Sequence, residues 1–252
     1  MELHPVEEYL NIQQSRISEF SKNHPDIWRI LGTCFNVSRM LMVTIGHQPS
    51  LSLVETHRLV MWQSVTEYQV QSLILILTGK LDSGHALLRL ATELSRDVHC
   101  IGDDESRLTL WLDKEKRRQE YRTLFKFDDT SDFGKTVHDI YKFCSQFGVH
   151  GHRTTSAFSE PVGRTGKNDC LLLIDVTDLA ILDAVQIWLM AFVSIQHLCA
   201  STFFERHLVE LQEPFSHFAS LEILMGDIVR ELDKSLRDLR QSKSTIPSEK
   251  FS

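Results

Sequence analysis

Breaker residues are scarce in this chain, and their scarcity limits the fold more than any other feature of the sequence. Only 11 glycines and 6 prolines occur among 252 residues. A β-sandwich or barrel needs frequent turn residues, whereas long helices with short connections do not. The sequence therefore predicts an all-α protein, a single helical bundle of about eight helices.

Apolar periodicity between the breakers places the helices. The predicted helices cover residues 6–22, 26–44, 50–78, 82–101, 105–127, 133–147, 171–211 and 215–240. The expected N-caps are Asp26, Ser50 or Ser52, and Asp82 or Ser83. One long loop, about 149–169, is the only sustained irregular stretch. We expect one domain over residues 1–241 and a disordered tail over 242–252.

The segment 171–211 is apolar enough to raise the question of a membrane span. Asp175, Asp178 and Asp183 lie in its first half, and Gln196 and His197 interrupt the second. A helix buried on most sides of the bundle explains this pattern better than membrane insertion. We therefore expect no membrane association.

The segment 215–240 has apolar residues at spacings of three and four, which is typical of a helix-packing seam. They are Phe218, Leu221, Met225, Ile228, Leu232, Leu236 and Leu239. The seam fits packing within the monomer or a homodimer interface, and the sequence leaves both open.

Charge and cysteine usage indicate a cytoplasmic protein. The net charge of −7 argues against general nucleic-acid coating as the main role. The five cysteines are widely spaced and form no CxxC motif, so we expect reduced thiols, with Cys34, Cys144 and Cys199 as small core residues. The N-terminal residues lack the pattern of a signal peptide.

The fourth predicted helix carries a narrow stripe of ionisable groups. On a helical wheel His85, Arg89, Thr92, Arg96 and His99 share one face. Glu93 lies at the edge of that face, and most of the remaining residues are leucine and alanine. Such a stripe indicates either a cleft between helices or a buried ion network.

A second polar set lies on the sixth predicted helix and in the loop after it. Tyr141 and Ser145 share a helix face with His138, and His150 and His152 follow in the loop. If the fourth and sixth helices pack together, one pocket collects Arg89, Glu93, Arg96, Tyr141, Ser145 and a histidine. The His150-Gly-His152 pair lacks further metal ligands, so we expect no metal and no cofactor.

An apolar helix with Arg-x3-Glu, followed by a helix with Tyr-x3-Ser and a nearby histidine, resembles helical-bundle proteins of the HEPN (higher eukaryotes and prokaryotes nucleotide-binding) type. The resemblance covers roughly residues 73–153. It implies a bundle, often dimeric, in bacterial toxin–antitoxin or antiviral defence systems. Many HEPN proteins are metal-independent ribonucleases with an Arg-x4-6-His motif. Here Arg96 and His99 have only two residues between them.

The segment 107–126 is locally basic. Its seven cations and three carboxylates leave it at +4, whereas the rest of the chain sums to −11. Cations on one face are able to bind phosphates. RNA or nucleotide binding would use the cations Arg107, Lys114, Arg117, Arg118 and Arg122. The alternative is a solvated helix of mixed charge.

Two function classes follow. The first is an interaction or regulatory protein that binds a protein or nucleotide partner. The second is a metal-independent ribonuclease, in which a histidine acts as base and an arginine stabilises the phosphorane. The candidate site residues are Arg89, Glu93, Arg96, His99, Tyr141, Ser145, His150 and His152. An open cleft with converging Arg and His side chains favours the enzyme, and a buried stripe whose groups are all paired favours the interaction protein.

Overall fold

A computed structural model describes residues 5–148, 159–161, 174–176, 178–204 and 206–207. Eight helices and two short strands lie in these ranges, which confirms the predicted all-α bundle. The helices are α1 Pro5–Asn23, α2 Pro25–Gly46, α3 Leu53–Leu77, α4 Leu81–Ile101, α5 Glu105–Leu112, α6 Arg118–Leu124, α7 Asp132–Gly148 and α8 Asp178–Phe204. The strands are β1 Ser159–Pro161 and β2 Ile174–Val176.

Helices α3 and α4 form a hairpin whose turn depends on glycine. Gly79 has φ 80°, a left-handed conformation that glycine adopts at little cost. Ser72 Oγ then donates to the Gly84 carbonyl oxygen at 2.7 Å, so the two backbones lie close together. At the other end of α3, Ser52 and Glu55 form a capping box, which confirms Ser52 as an N-cap.

Helix α8 lies at the centre of the bundle, where Trp188, Phe192 and Phe203 are almost fully buried. Trp188 Nε1 donates to the Gln69 carbonyl oxygen at 2.8 Å, which ties α8 to α3. The stretch Ala180–Phe203 has the length and composition of a membrane span, but 67% of it is buried inside the protein. A core helix of a bundle has the same properties, so this stretch is weak support for a span.

Two predicted N-caps are wrong. Helix α2 begins at Pro25 after His24, which makes no side-chain cap, so Asp26 lies inside the first turn. Proline suits the first helical position because its φ is already helical and it lacks the N–H that would be left unpaired. Helix α4 begins after Lys80, again without a side-chain cap, so Asp82 and Ser83 lie inside its first turn.

The predicted helix 171–211 is shorter than expected at both ends. Ile174–Val176 form β2, which pairs antiparallel with β1 in the register Ser159↔Val176. The helix ends at Phe204, and Arg206 and His207 instead turn towards Glu55 at the start of α3. Contacts with residues distant in sequence therefore decided these boundaries.

The predicted helix 105–127 is two helices, α5 and α6, separated by residues 113–117. Trp111 Nε1 and Tyr121 Oη both donate to the Asp97 carboxylate, at 2.9 and 2.8 Å. In one continuous helix these residues would lie about 15 Å apart along the axis. The chain bends because both side chains reach the same carboxylate.

Several predictions fall outside the described residues. They are the predicted helix 215–240 with its apolar seam, the tail 242–252, and the loop 149–169 apart from β1. A homodimer through that seam stays a prediction, as does the single domain over 1–241.

Candidate functional site

The ionisable stripe of α4 faces α7, so the two helices do pack together, which was the condition for a shared pocket. The rings of His85 and Phe143 meet edge to face, with centroids 5.4 Å apart. One turn further along α4, the Arg89 guanidinium lies 5.4 Å from the centre of the Tyr141 ring. Since higher numbers on α4 meet lower numbers on α7, the two helices run antiparallel.

Arg89, Glu93 and Tyr141 form one contact group. Arg89 Nε donates to Glu93 Oε1 at 3.0 Å, and both side chains are 30% exposed. The Tyr141 ring also packs on Phe127, with centroids 4.8 Å apart. An i,i+4 ion pair of this kind neutralises both charges and is typical of a helix surface. The ion pair lies within α4, and the contact of Arg89 with the Tyr141 ring links α4 to α7.

Asp97 lies next to Arg96 of the stripe and accepts hydrogen bonds from three side chains. Arg96 donates to it from Nε at 2.9 Å, and Tyr121 and Trp111 donate from the other side. The Asp97 side chain is only 4% exposed. Three donors from three elements satisfy a buried carboxylate, as burial of charge requires. Arg96 also lies 5.1 Å from the centre of the Phe127 ring.

Two of the side chains that donate to Asp97, Arg96 and Tyr121, have raised pKa values. Burial disfavours the charged form of Arg96, but the adjacent Asp97 carboxylate outweighs it and raises the pKa of Arg96. Burial and the same carboxylate raise the pKa of Tyr121. Arg96 therefore stays cationic and Tyr121 stays a proton donor across the physiological range, so neither serves as a base.

The histidines of α4 are held neutral. Burial lowers the pKa of His85 and of His99, against a smaller opposing effect of Asp82 and Asp128 respectively. His85 is 3% exposed, and within the described ranges neither of its ring nitrogens has a hydrogen-bond partner. The ring packs against Phe143 as an apolar group would.

The eight candidate residues are only partly brought together. Arg89, Glu93 and Tyr141 meet directly, and Arg96 joins them through Phe127. Ser145 Oγ is buried without a hydrogen-bond partner among the described residues, and in the same ranges no bond joins Arg89 or Arg96 to a histidine. His150 and His152 lie outside the described residues.

Sequence reasoning missed the residue on which this region depends, Asp97. Its partners Trp111 and Tyr121, and Phe127 against Arg96, were also absent from the candidate list, because they precede the predicted sixth helix. One signal was present: a carboxylate directly after Arg96 on an otherwise apolar helix must find donors when it is buried. Aromatic N–H and O–H groups nearby in sequence are suitable donors.

The basic segment divides into paired and unpaired cations. Arg107 lies 3.5 Å from Asp104, Lys114 lies on the Trp111 ring, and Arg117 donates to Glu120 at 2.9 Å. Arg118 and Arg122 are exposed, and so is Lys126 four residues further on. In the described part of the chain these three cations lie beyond ion-pair distance of any carboxylate. We call Arg118, Arg122 and Lys126 the cationic edge.

In the described part of the chain, the potential metal ligands and the thiols form no second candidate site. No group of three His, Cys, Asp or Glu residues there is placed to hold a metal ion. Cys34, Cys144 and Cys199 are buried, as expected, and burial raises the pKa of Cys34 and Cys144 to about 12. Thiols with such pKa values are unreactive core residues.

Comparisons with protein-family models, curated proteins and solved structures found no match for this chain. The function is therefore inferred from the geometry of the site.

Proposed function

We propose that this chain is a non-catalytic interaction protein of the HEPN-like kind that binds RNA by its phosphate backbone. The HEPN-like resemblance implies that this protein has a regulatory role in a toxin–antitoxin or defence system. One observation carries the proposal: the arginines of the α4 stripe are paired internally, whereas the cationic edge is exposed. The proposal concerns binding, and it assigns no reaction to the stripe.

Catalysis by an Arg/His pair is disfavoured because its components are already engaged. Transition-state stabilisation needs a cation whose donors point at an open position. The Arg96 side chain is 16% exposed and donates to Asp97 and Tyr121. Arg89 pairs with Glu93. A substrate phosphate would have to displace these carboxylates.

The cationic edge has the geometry of a phosphate-binding strip. Arg118 and Arg122 are four residues apart on one side of α6, about 6 Å apart along the helix axis, and Lys126 follows two residues after the helix ends. On the neighbouring side the Tyr121 hydroxyl donates to Asp97 on α4 at 2.8 Å, and the Phe125 ring at the C-cap is buried, so these two side chains attach α6 to the protein. The attachment leaves the three cations directed outwards.

The aromatic rings near the cationic edge are occupied, so we infer that bases are not read. Tyr121 stacks on Phe125, and Lys114 lies 4.5 Å from the centre of the Trp111 ring. Single-strand binders that read or hold bases present open aromatic faces. Binding through phosphates alone is independent of base sequence and sensitive to salt.

The proposal is tested by fluorescence anisotropy with a labelled single-stranded RNA of about 20 nucleotides, between roughly 50 and 200 mM salt with EDTA present. Three phosphate contacts predict a slope of log K against log salt of about −2. Reversing two of the cations, in the double variant Arg118→Glu/Arg122→Glu, should weaken binding about tenfold or more and reduce the slope to about −0.7.

The matched control is Arg29→Glu/Arg39→Glu, which changes the net charge equally on the exposed side of α2. It should leave the slope unchanged. Equal weakening by both double variants would mean that only net charge matters, and the proposed strip would be wrong. No binding by the wild type at the lowest salt would also contradict it, and binding to an acidic protein instead would redirect the search for the partner.

The same samples, run on a denaturing gel, test the ribonuclease alternative. We expect the RNA to stay intact. Cleavage that resists EDTA and disappears in Arg96→Ala or His150→Ala would show a metal-independent ribonuclease and overturn the non-catalytic proposal. Cleavage that persists in both variants would indicate a contaminating nuclease. Further purification would then remove that nuclease before binding is measured.

A further inference from the structure

A polar cleft opens between α1, the end of α3 and the start of α8, away from every residue discussed as a site above. Its volume is about 210 Å³. Phe20, Leu77 and Ile181 form an apolar floor, and all three are buried. A cavity of about 150 Å³ holds a six-atom ring, so this cleft suits a ligand of roughly eight heavy atoms.

The rim of the cleft carries charges of both signs. Arg16 lines one side, and its Nη1 donates to the Thr78 carbonyl oxygen at 3.0 Å, which positions the guanidinium at the end of α3. Asp178, the first residue of α8, and Glu19 supply carboxylates. A guanidinium has five N–H donors in a planar fork, so it is able to hold a backbone oxygen and a carboxylate together.

Two neutral groups complete the rim. His24 packs against Phe20, with ring centroids 4.9 Å apart, and Asn23 precedes it. Burial lowers the pKa of His24, although the nearby Asp178 opposes this effect. A neutral imidazole and an amide both donate and accept hydrogen bonds, so they serve a ligand of either polarity.

We propose that this cleft binds a small zwitterion, an α-amino acid with a short apolar side chain. Its carboxylate would lie on Arg16, its ammonium group between Asp178 and Glu19, and its side chain on the apolar floor. A simple anion would meet two carboxylates, and a simple cation would meet Arg16. A zwitterion satisfies both signs of charge, and this binding goes beyond the proposed RNA binding.

The probes are L-valine, L-valine methyl ester and isovalerate, measured by saturation-transfer NMR and calorimetry on the full chain. The ester lacks the carboxylate charge, and isovalerate lacks the ammonium group. We expect L-valine to bind and each analogue to bind about tenfold more weakly or not at all, because each loses one charge-assisted interaction. Equal binding of L-valine and either analogue would overturn the proposal, as would no binding of L-alanine, L-valine or L-leucine.

Paired variants locate the binding. Arg16→Gln and Asp178→Asn should each weaken L-valine binding about tenfold. The controls are Arg29→Gln and Asp26→Asn, an exposed pair 3.2 Å apart on α2 that lies outside the cleft. Unchanged binding in both cleft variants would place the ligand elsewhere. Arg16 also holds the Thr78 carbonyl oxygen, so a second variant is used if Arg16→Gln folds poorly. That variant is Glu19→Gln, at an exposed position, and a loss of L-valine binding in it has the same meaning.

Discussion

At the scale of single residues, the bundle depends on buried polar side chains whose partners lie far away in sequence. Gln196 on α8 is fully buried. Its Oε1 accepts from Ser38 Oγ at 2.7 Å and from Trp62 Nε1 at 2.6 Å. Its Nε2 donates to Thr66 and to Gln69 Oε1. One amide therefore joins α2, α3 and α8 with all four of its hydrogen-bonding positions used.

Replacing this amide tests how much the network contributes. We expect Gln196→Leu to lower the free energy of unfolding by about 3 kcal/mol or more, because it leaves several buried groups without partners at once. Chemical denaturation followed by circular dichroism measures it. Gln63→Leu, at an exposed position on α3, is the control and should change stability little. A Gln196→Leu protein as stable as the wild type would show that the network is dispensable.

At the scale of the helices, two helical glycines have opposite roles. A Cβ built on Gly84 would lie 2.7 Å from Ile76 Cγ1 and 3.1 Å from the Ser72 carbonyl oxygen. A Cβ built on Gly32, in the middle of α2, would meet nothing within 4 Å. Gly84 is therefore required by the close approach of α3 and α4, whereas Gly32 has no such neighbour.

The same substitution at the two positions should have effects of opposite sign. We expect Gly84→Ala to destabilise the protein by about 1–3 kcal/mol through overpacking of the α3–α4 contact. Gly32→Ala should stabilise it by about 1 kcal/mol, because alanine loses less backbone entropy in a helix. Thermal melting of both variants beside the wild type measures this. Shifts of the same sign in both would mean that helix propensity, and not the packing of α3 on α4, decides the outcome.

At the scale of the whole molecule, a buried ion cluster joins the start of α3 to the end of α8. Glu55 is 1% exposed and accepts from the Ser52 backbone N–H at 2.8 Å. Arg206 donates to it at 3.1 Å, and His207 Nε2 lies 3.1 Å from Oε1. Arg58, buried beside them, pairs with Asp103 at 2.7 Å. These contacts close the bundle at one end.

The Glu55 carboxylate gives this closure a pH dependence. Burial alone would raise the pKa of Glu55, but the hydrogen bonds from Ser52 and His207 and the charge of Arg206 lower it to about 2. A lowered carboxyl pKa means that the folded state favours the ionised form. The stabilisation is therefore complete above the ordinary pKa of a glutamate and is lost as the pH falls through about 2.

We expect Glu55→Gln to lower the free energy of unfolding by about 3 kcal/mol near neutral pH, the usual cost of breaking a buried pair. The difference between variant and wild type should shrink progressively below the ordinary pKa of a glutamate. Denaturant titrations at a series of pH values measure it, with Glu67→Gln at an exposed position of α3 as the control. A difference that stays constant down to the most acid pH would contradict the role of the Glu55 charge.

The sequence by itself determined the all-α class, five of the eight described helices to within a few residues, the Ser52 cap and the polar stripe of α4. These features depend on residues three or four positions apart, so a local pattern contains them. The scarcity of glycine and proline is likewise a property of the sequence alone. The packing of α4 beside α7 was raised from the sequence only as a hypothesis, and the antiparallel direction of the two helices came from the tertiary structure.

Only the tertiary structure decided the break between α5 and α6, the pairing of the stripe around Asp97, the end of α8 at Phe204 and the position of the polar cleft. Each depends on groups that are distant along the chain, as Asp97 is from Tyr121 and Glu55 from His207. A carboxylate becomes buried only when separate helices close over it, and it then takes whichever donors they present. Whether an arginine is paired or available to a ligand is decided by that closure, which no local pattern records.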